Sequence, residues 1–286
     1  MNTINTIQNF RAWRKGISGS LGFVPTMGSL HDGHLSLVAE ANKLCTHTVV
    51  SIYLNPAQFA PDEDLATYPK NLQHDLKALS QFQIDAIFLP TDSEMYPRGY
   101  STYMQETKLS TVLEGRSRPL FFQGVATVVA KFFNIVRPTH AFFGEKDAQQ
   151  LLIVKKMVKD MAYPIDIISC PIIRHNNGLA MSSRNSYLSE SEQKAASIIY
   201  RSLQEGKNLI ISGERNAQTI RDKITRTIMQ ENLLRIDYVS ITDAETLVEI
   251  SGNISNNILV STALFLGKTR LIDNFSYSAS YKGKVR

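Results

Sequence analysis

Two histidines, His31 and His34, stand three residues apart in the stretch "PTMGSLHDGHLSLV", which runs from Pro25 to Val38. An imidazole can donate a hydrogen bond to a phosphate oxygen, more strongly if protonated, and so stabilise the charge that builds up as pyrophosphate leaves. Gly28 and Gly33 let a turn approach a phosphate closely. A helix beginning near Asp32 would aim free N–H groups and the positive end of its dipole at an anion. Taken alone, the pattern also fits an N-capping turn, with Asp32 near the cap and two surface histidines.

Three more stretches carry candidate chemistry. In "FFGEKDAQQ", residues 142–150, a glycine is followed by a helix bearing Lys146 and Asp147. Lys146 could place a positive charge on a transferring phosphate, and Asp147 could hold a ribose hydroxyl or orient the lysine. Gln149 and Gln150 offer uncharged donor–acceptor groups to a hydroxyl-bearing substrate. The bland alternative is a glycine turn whose Glu145 and Asp147 favour the helix dipole.

In "GLAMSSRNSYLS", residues 178–189, Ser182, Ser183 and Arg184 present two hydroxyls and a guanidinium suited to triphosphate oxygens. Their place between two modules suggests a mobile flap; a polar hinge, with Ser189 capping the next helix, is the alternative. The polar loop "LNPAQFAPDEDLATYPK", residues 54–70, carries Asn55 and Gln58 near its start. Such loops often bear function on a rigid sheet, although Asn55 before Pro56 is by itself a turn signal.

These turns need elements to position them. "LGFVPT", "HTVVSIYL", "DAIFLP", "HAFFG" and "PIDIISCP" read as strands. They alternate with helical patterns in "GHLSLVAEANKLC", "NLQHDLKALSQF", "GVATVVAKFFNIVRP" and "EKDAQQLLIVKKMVKDMA". That alternation predicts a Rossmann-like α/β domain, a parallel sheet covered on both faces, over residues 1–174. Ligands of such sheets bind at the carboxyl ends of strands, which is where the first, second and fourth stretches fall.

From residue 175 to 286 the order changes. Two long amphipathic helices, "ESEQKAASIIYRSLQEGKNLIIS" and "NAQTIRDKITRTIMQEN", precede three strand-like runs, "RIDYVSIT", "NILVSTALFL" and "TRLIDNF". The pattern predicts a smaller, separate α+β domain.

Composition narrows the function. Of 286 residues 43% are hydrophobic and 20% charged, and the net charge is +5, as in an ordinary globular protein. The basic residues are scattered, and nowhere interleaved with aromatics as in a single-strand binder, so nucleic acid is not an expected partner. The longest apolar stretches are too short to span a bilayer. Two distant cysteines, Cys45 and Cys170, give neither a metal spacing nor a disulfide framework, and they fit a reducing cytoplasm. The N-terminus lacks the profile of a signal peptide.

The four stretches, in this order and at these separations, resemble the pantothenate synthetase (pantoate–β-alanine ligase) family. The match includes "FVPTMGSLHDGHLSLV", "VVSIYLNPAQF", "EDLATYP", "LEGRSRP", "FFGEKDAQQLLIVKKMV", "NGLAMSSRN" and "RLIDN", nearly the whole chain. The resemblance implies an ATP- and pantoate-binding domain with a C-terminal lid, a homodimer, and condensation of D-pantoate with β-alanine through pantoyl adenylate, using Mg2+ and ATP.

Carried over residue by residue, Met27, Gly28, Ser29, Leu30, His31, Asp32, Gly33 and His34 would line the ATP site, with His34 as proton donor. Gly144, Glu145, Lys146 and Asp147 would contact ATP; Ile173, Met181, Ser182, Ser183 and Arg184 would complete that site. The catalytic set is then His34, His31, Lys146 and Arg184. Gln58 and Gln150 would bind pantoate, with Asn55 and Arg118 lining the pocket. No metal ligand is assigned.

The chain departs from the family pattern at Phe121-Phe122-Gln123, where a histidine is usual, and at Lys70, where arginine is usual. An acidic cluster near the metal's water shell is reduced to Asp75. Two other functions are open on the residues alone: a nucleotidylyltransferase acting on a phosphate ester, and an RNA-binding module related to synthetase domains.

Overall fold

The computed structural model describes residues 2–61 and 63–278 and divides into two compact units, 1–171 and 172–286. In the first, β1 (Asn2–Ile4), β2 (Leu21–Thr26), β3 (His47–Ile52), β4 (Ala86–Phe88), β5 (His140–Gly144) and β6 (Asp166–Cys170) form a parallel sheet. Their order is β1-β4-β3-β2-β5-β6. The chain order therefore runs outward in one direction from β2 to β4 and then restarts beside β2 at β5. The gap between β2 and β5 is the topological switch point, where open α/β sheets bind ligands.

Both faces of the sheet are covered, which is why β2 reads as a nearly continuous apolar run rather than an alternating one. On one face Val24, Val50, Ile87 and Phe142 pack with Leu37, Val38 and Ala41 of α2 (Asp32–Leu44) and Leu76 and Leu79 of α3 (Leu72–Leu79). On the other, Phe23 and Phe88 meet Phe132 of α6 (Phe121–Val136), and Phe88 meets Phe10 of α1 (Ile7–Lys15). Two short helices, α4 (Asp92–Met95) and α5 (Glu114–Ser117), precede α6, and α7 (Ala148–Asp160) follows β5.

Pairing of β2 with β5 involves only Gly22 and Phe23, whereas pairing with β3 continues to Thr26. Pro25, which has no N–H for a ladder, lies where contact with β5 has already ended. The two strands thus part at their carboxyl ends, beside the turns that carry the candidate chemistry.

The second unit carries α8 (Glu190–Ala196), α9 (Ile198–Ile211) and α10 (Ala217–Ile228), then an antiparallel sheet of β7 (Leu234–Asp243), β8 (Ile258–Leu266) and β9 (Thr269–Tyr277). Its core is aliphatic: Ile199, Leu203, Ile220 and Ile224 of the helices against Ile241, Val260 and Leu264 of the sheet. The fold class expected from the sequence is the one observed. Two details differ. The first long C-terminal helix is interrupted at Ser197, which belongs to neither α8 nor α9, and residues 145–147 form a 3-10 turn before α7 begins.

Candidate active site

The turn after β2 is built to hold one shape. Gly28 has φ +87° and Ser29 φ +52°, a pair of left-handed residues that reverses the chain. Asp75, at 1% exposure on the first turn of α3, closes the reversal: its carboxylate accepts from Ser29 N–H (2.9 Å) and Leu30 N–H (2.8 Å). A side chain on Gly28 would press to 3.2 Å from an Asp75 oxygen. Beneath the turn, the Thr26 hydroxyl donates to the Ser51 carbonyl of β3 (2.7 Å), and Leu30 is buried in the core under α2.

The helix begins at Asp32, as expected from the sequence, and the N-cap of α2 is His31. Its Nδ1 accepts from Gly33 N–H (3.1 Å), and the Nδ1 of His34 accepts from His31 N–H (3.4 Å). This is a capping box made of two imidazoles. The amides of residues 29 and 30 thus bond to Asp75, and those of 31 and 33 to the histidine rings. Each ring, with Nδ1 used as acceptor, carries its proton on Nε2 when neutral. The two ring centroids lie 4.1 Å apart.

His34 is held in that neutral form. Burial lowers its pKa well below the usual 6.5, and the neighbouring His31 and Lys146 charges push the same way. The Lys146 charge, on the turn after β5, thus acts on His34 at the turn after β2. Lys146 sits within the 3-10 turn Glu145–Asp147, its side chain about one-fifth exposed, with its Nζ 4.0 Å from Asp147. Gly144 is half-buried at the end of β5.

Adjacent glutamines on α7 have opposite fates. Gln149 is buried; its Nε2 donates to the carbonyls of Leu109 (2.7 Å) and Val112 (2.8 Å), and its oxygen accepts from Glu114 N–H (3.1 Å). It clamps the 109–114 segment with both ends of its amide while buried, rather than offering them to a substrate as the sequence suggested. Gln150 is half-buried and makes no hydrogen bond among the described residues.

The loop after β3 places Gln58 at the end of a 3-10 turn, Pro56–Gln58, capped by the Asn55 side chain. Asn55, at 1% exposure, spends its polar atoms within the protein rather than lining a pocket with them. Arg118 is similarly committed: its guanidinium pairs with Glu63, donates to the Gln58 carbonyl (3.0 Å) and lies 3.8 Å over the Phe121 ring. The phenylalanine that departs from the family pattern is thus a platform for Arg118, while Lys70 is exposed.

In the second unit Ile173 and Met181 face each other across a tight hairpin, with Met181 N–H bonded to the Ile173 carbonyl (3.0 Å). Arg174 anchors the hairpin through a two-pronged pair with Asp273, and Ser182 caps the 3-10 turn Ser183–Tyr187 by accepting from Arg184 N–H. The motif therefore lies on a folded hairpin and turn, not on a bare linker. Ser182, Ser183 and Arg184 are half-buried there.

Asp75 and Tyr96 escape sequence reasoning as parts of this architecture. Asp75 lies 46 residues from the amide it holds, and no local pattern links them. Among the described residues, no group of three or more His, Cys, Asp or Glu side chains could hold a metal ion.

Comparison with known proteins bears directly on this site. The family profile described as Pantoate-beta-alanine ligase matches residues 1–276. A pantothenate synthetase of Clostridium botulinum (strain 657 / Type Ba4) is 49% identical over 281 residues, 97% of this chain and 99% of that protein. Among solved structures, pantothenate synthetase from Thermus thermophilus superposes with a TM-score of 0.92 at 40% identity, covering 96% and 99% of the two chains. Pantoate-beta-alanine ligase from Francisella tularensis, complexed with beta-gamma ATP and beta-alanine, gives 0.78 at 34% identity, covering 96% and 97%.

Proposed function

The chain belongs to the pantoate–beta-alanine ligase family, and from that premise we propose how its own residues carry the reaction. The enzyme is a ligase that makes pantothenate from pantoate and β-alanine with ATP. A carboxylate is a poor acyl donor to an amine, because its negative charge opposes attack. Adenylation removes that charge. A pantoate carboxylate oxygen attacks the α-phosphorus, and the bond to pyrophosphate breaks. The β-alanine amine then attacks the acyl carbon, the acyl C–O bond breaks, and AMP leaves with the former carboxylate oxygen.

No covalent enzyme intermediate is required, so the protein's work is alignment and charge stabilisation. The observation that carries the reading is the reciprocal His31–His34 cap at the start of α2, with the Lys146 charge acting on His34. His31 and His34 donate to phosphate oxygens as charge builds on the departing pyrophosphate, and Lys146 adds a positive charge. Met27–Gly33 and Gly144–Asp147 border the nucleotide, while Gln58 and Gln150 hold pantoate. His34 acts here as a neutral hydrogen-bond donor, not as an imidazolium.

ATP enters as its magnesium complex, with the metal carried on phosphate oxygens and water. Asp75, the one acidic residue left of the family's cluster, has both carboxylate oxygens engaged by backbone amides. We assign residues 1–174 to ATP and pantoate binding, and 175–286 to a lid that carries Met181–Arg184. The same reading makes the enzyme a cytoplasmic homodimer without a nucleic-acid partner. Among the described residues, no helix is long and apolar enough to cross a membrane.

The test is product stoichiometry. Purified protein with magnesium, ATP and D-pantoate should release AMP and pantothenate in equal amounts only when β-alanine is added. AMP release without pantothenate, or no dependence on the amine, would count against the ligase reading.

A further inference from the structure

Gln58 has a carboxamide whose two ends meet different surroundings. Its oxygen accepts from the Asn55 side-chain amide at 2.9 Å. Its nitrogen has no hydrogen-bond partner among the described residues, and it is not among the buried side-chain atoms left without one, so it faces accessible space. The residue as a whole is only 7% exposed. Which end faces outward decides what it recognises: a nitrogen offers donors only, an oxygen accepts only.

Asn55 decides this. Its Nδ2 also donates to the Gly124 carbonyl (3.1 Å), while its Oδ1 accepts from Ala57 N–H (3.3 Å) and from the Tyr96 hydroxyl (2.8 Å). A backbone carbonyl can only accept and a backbone N–H can only donate, so the Asn55 amide cannot be reversed without two mismatches. Gly124 is part of the clamp: a side chain there would fall 2.1 Å from the Ala57 carbonyl, so only glycine lets α6 approach the loop this closely. Tyr96 closes the remaining acceptor site. It terminates α4, a helix tied a second time to the same strand end by the Tyr53 hydroxyl on Asp92 (2.9 Å). Burial raises the Tyr96 phenol above its usual range, so it remains an O–H donor throughout the working pH.

We propose that Tyr96 is a positioning residue which, through Asn55, holds the Gln58 carboxamide so that it meets the acid substrate with N–H donors only. The inference rests on the ligase reading above and deepens it: the substrate atom held by Gln58 is a carboxylate or hydroxyl oxygen, taken as acceptor. A group that could only donate would be refused at this position, because the amide is not able to turn over to receive it.

Two variants test this, each assayed beside the wild-type enzyme, whose own pantothenate formation tests the ligase reading separately. Tyr96→Phe removes one hydroxyl and keeps the ring, which meets Tyr100 edge to face. It should raise KM for pantoate about 2- to 12-fold, the range for loss of one neutral hydrogen bond. KM for ATP and the melting temperature should stay close to wild type. In a Gln58→Ala background the same change should alter KM for pantoate less than about twofold, since the residue it acts through is gone. An unchanged KM for pantoate, or an equal rise in both backgrounds, overturns the proposal.

Gln58→Glu supplies a readout independent of folding effects at Tyr96. Ionised, it offers the substrate no donor; protonated, it offers one. Its KM for pantoate should fall as pH is lowered from about 8 to about 5.5, toward the carboxyl's own range, relative to wild type over the same interval. A pH-independent ratio of the two KM values would contradict donor-only recognition.

Discussion

The turns after β2 and β5 meet at one switch point but are built in opposite ways. The first is held from every side: two left-handed residues, a buried carboxylate on two amides, and a reciprocal histidine cap. The second is a plain 3-10 turn with no side-chain cap, placing Lys146 and Asp147 on long or exposed side chains. The difference teaches how labour is divided. Directional donors need a rigid base, because a hydrogen bond weakens steeply when misaimed. A point charge does not, because its effect falls gradually with distance.

This contrast can be broken most forcefully at its rigid end. His34→Ala should cost on the order of 10²–10³ in the rate of pyrophosphate release, as expected for one preorganised donor. Single-turnover kinetics would read it in the adenylation step, with ATP affinity much less affected. A loss confined to KM for ATP would assign His34 to ground-state binding instead.

Asp75→Ala comes next. It strips the partner from two buried amides and should destabilise the first unit by about 1–3 kcal/mol, measured by urea unfolding. At temperatures where the variant is folded, adenylation should still be slower, because the His31–His34 helix start loses its support. A variant with wild-type turnover would show that the buckle serves stability alone.

The softer turn should tolerate conservative change better. Lys146→Arg keeps the charge and should retain more activity than Lys146→Ala, whereas no comparable rescue is expected at His34 from lysine. At the small end, Asp147→Asn should alter turnover by less than about threefold, in line with the weakness of exposed ion pairs. A larger loss would give Asp147 direct contact with nucleotide.

The same comparison has a pH signature. His34 is depressed by burial first, then by His31 and Lys146. In the folded enzyme it therefore stays neutral below the usual 6.5, while in the unfolded chain it protonates there. Stability attributable to His34 is present above that value and is lost as pH falls toward the folded one. NMR of the ligand-free protein should show no His34 titration near the usual value, and Lys146→Met should move that titration upward. An ordinary titration would remove the coupling between the two turns.

Much of this is legible in the sequence, for identifiable reasons. The strand β2 and helix α2 stand out because an apolar run gives way at Gly28 to a turn and then to a helical period. What stays hidden depends on partners distant in sequence. Gln149 and Gln150 are indistinguishable as letters, and only the rotation of α7 sends one to the 109–114 segment and leaves the other unpartnered among the described residues. Asn55 reads as a turn signal, and it is one, yet its side chain also links Gly124, Gln58 and Tyr96 across three elements. Arg118, a pocket position only by family resemblance, pairs with Glu63 and lies over the Phe121 ring, partners that no local pattern announces. The helix α1 is absent from the sequence reading although Ile7, Phe10 and Trp13 recur at helical spacing along it.

The central claim is that the acid is activated by bonding one of its carboxylate oxygens to the α-phosphorus at the histidine turn. Pantoate labelled with 18O in the carboxylate, incubated with magnesium, ATP and β-alanine, tests it most directly by mass spectrometry of the nucleotide product. The account predicts one labelled oxygen in AMP and none in pyrophosphate. Label in inorganic phosphate with ADP as the nucleotide product would mean attack at the terminal phosphorus, and would contradict it.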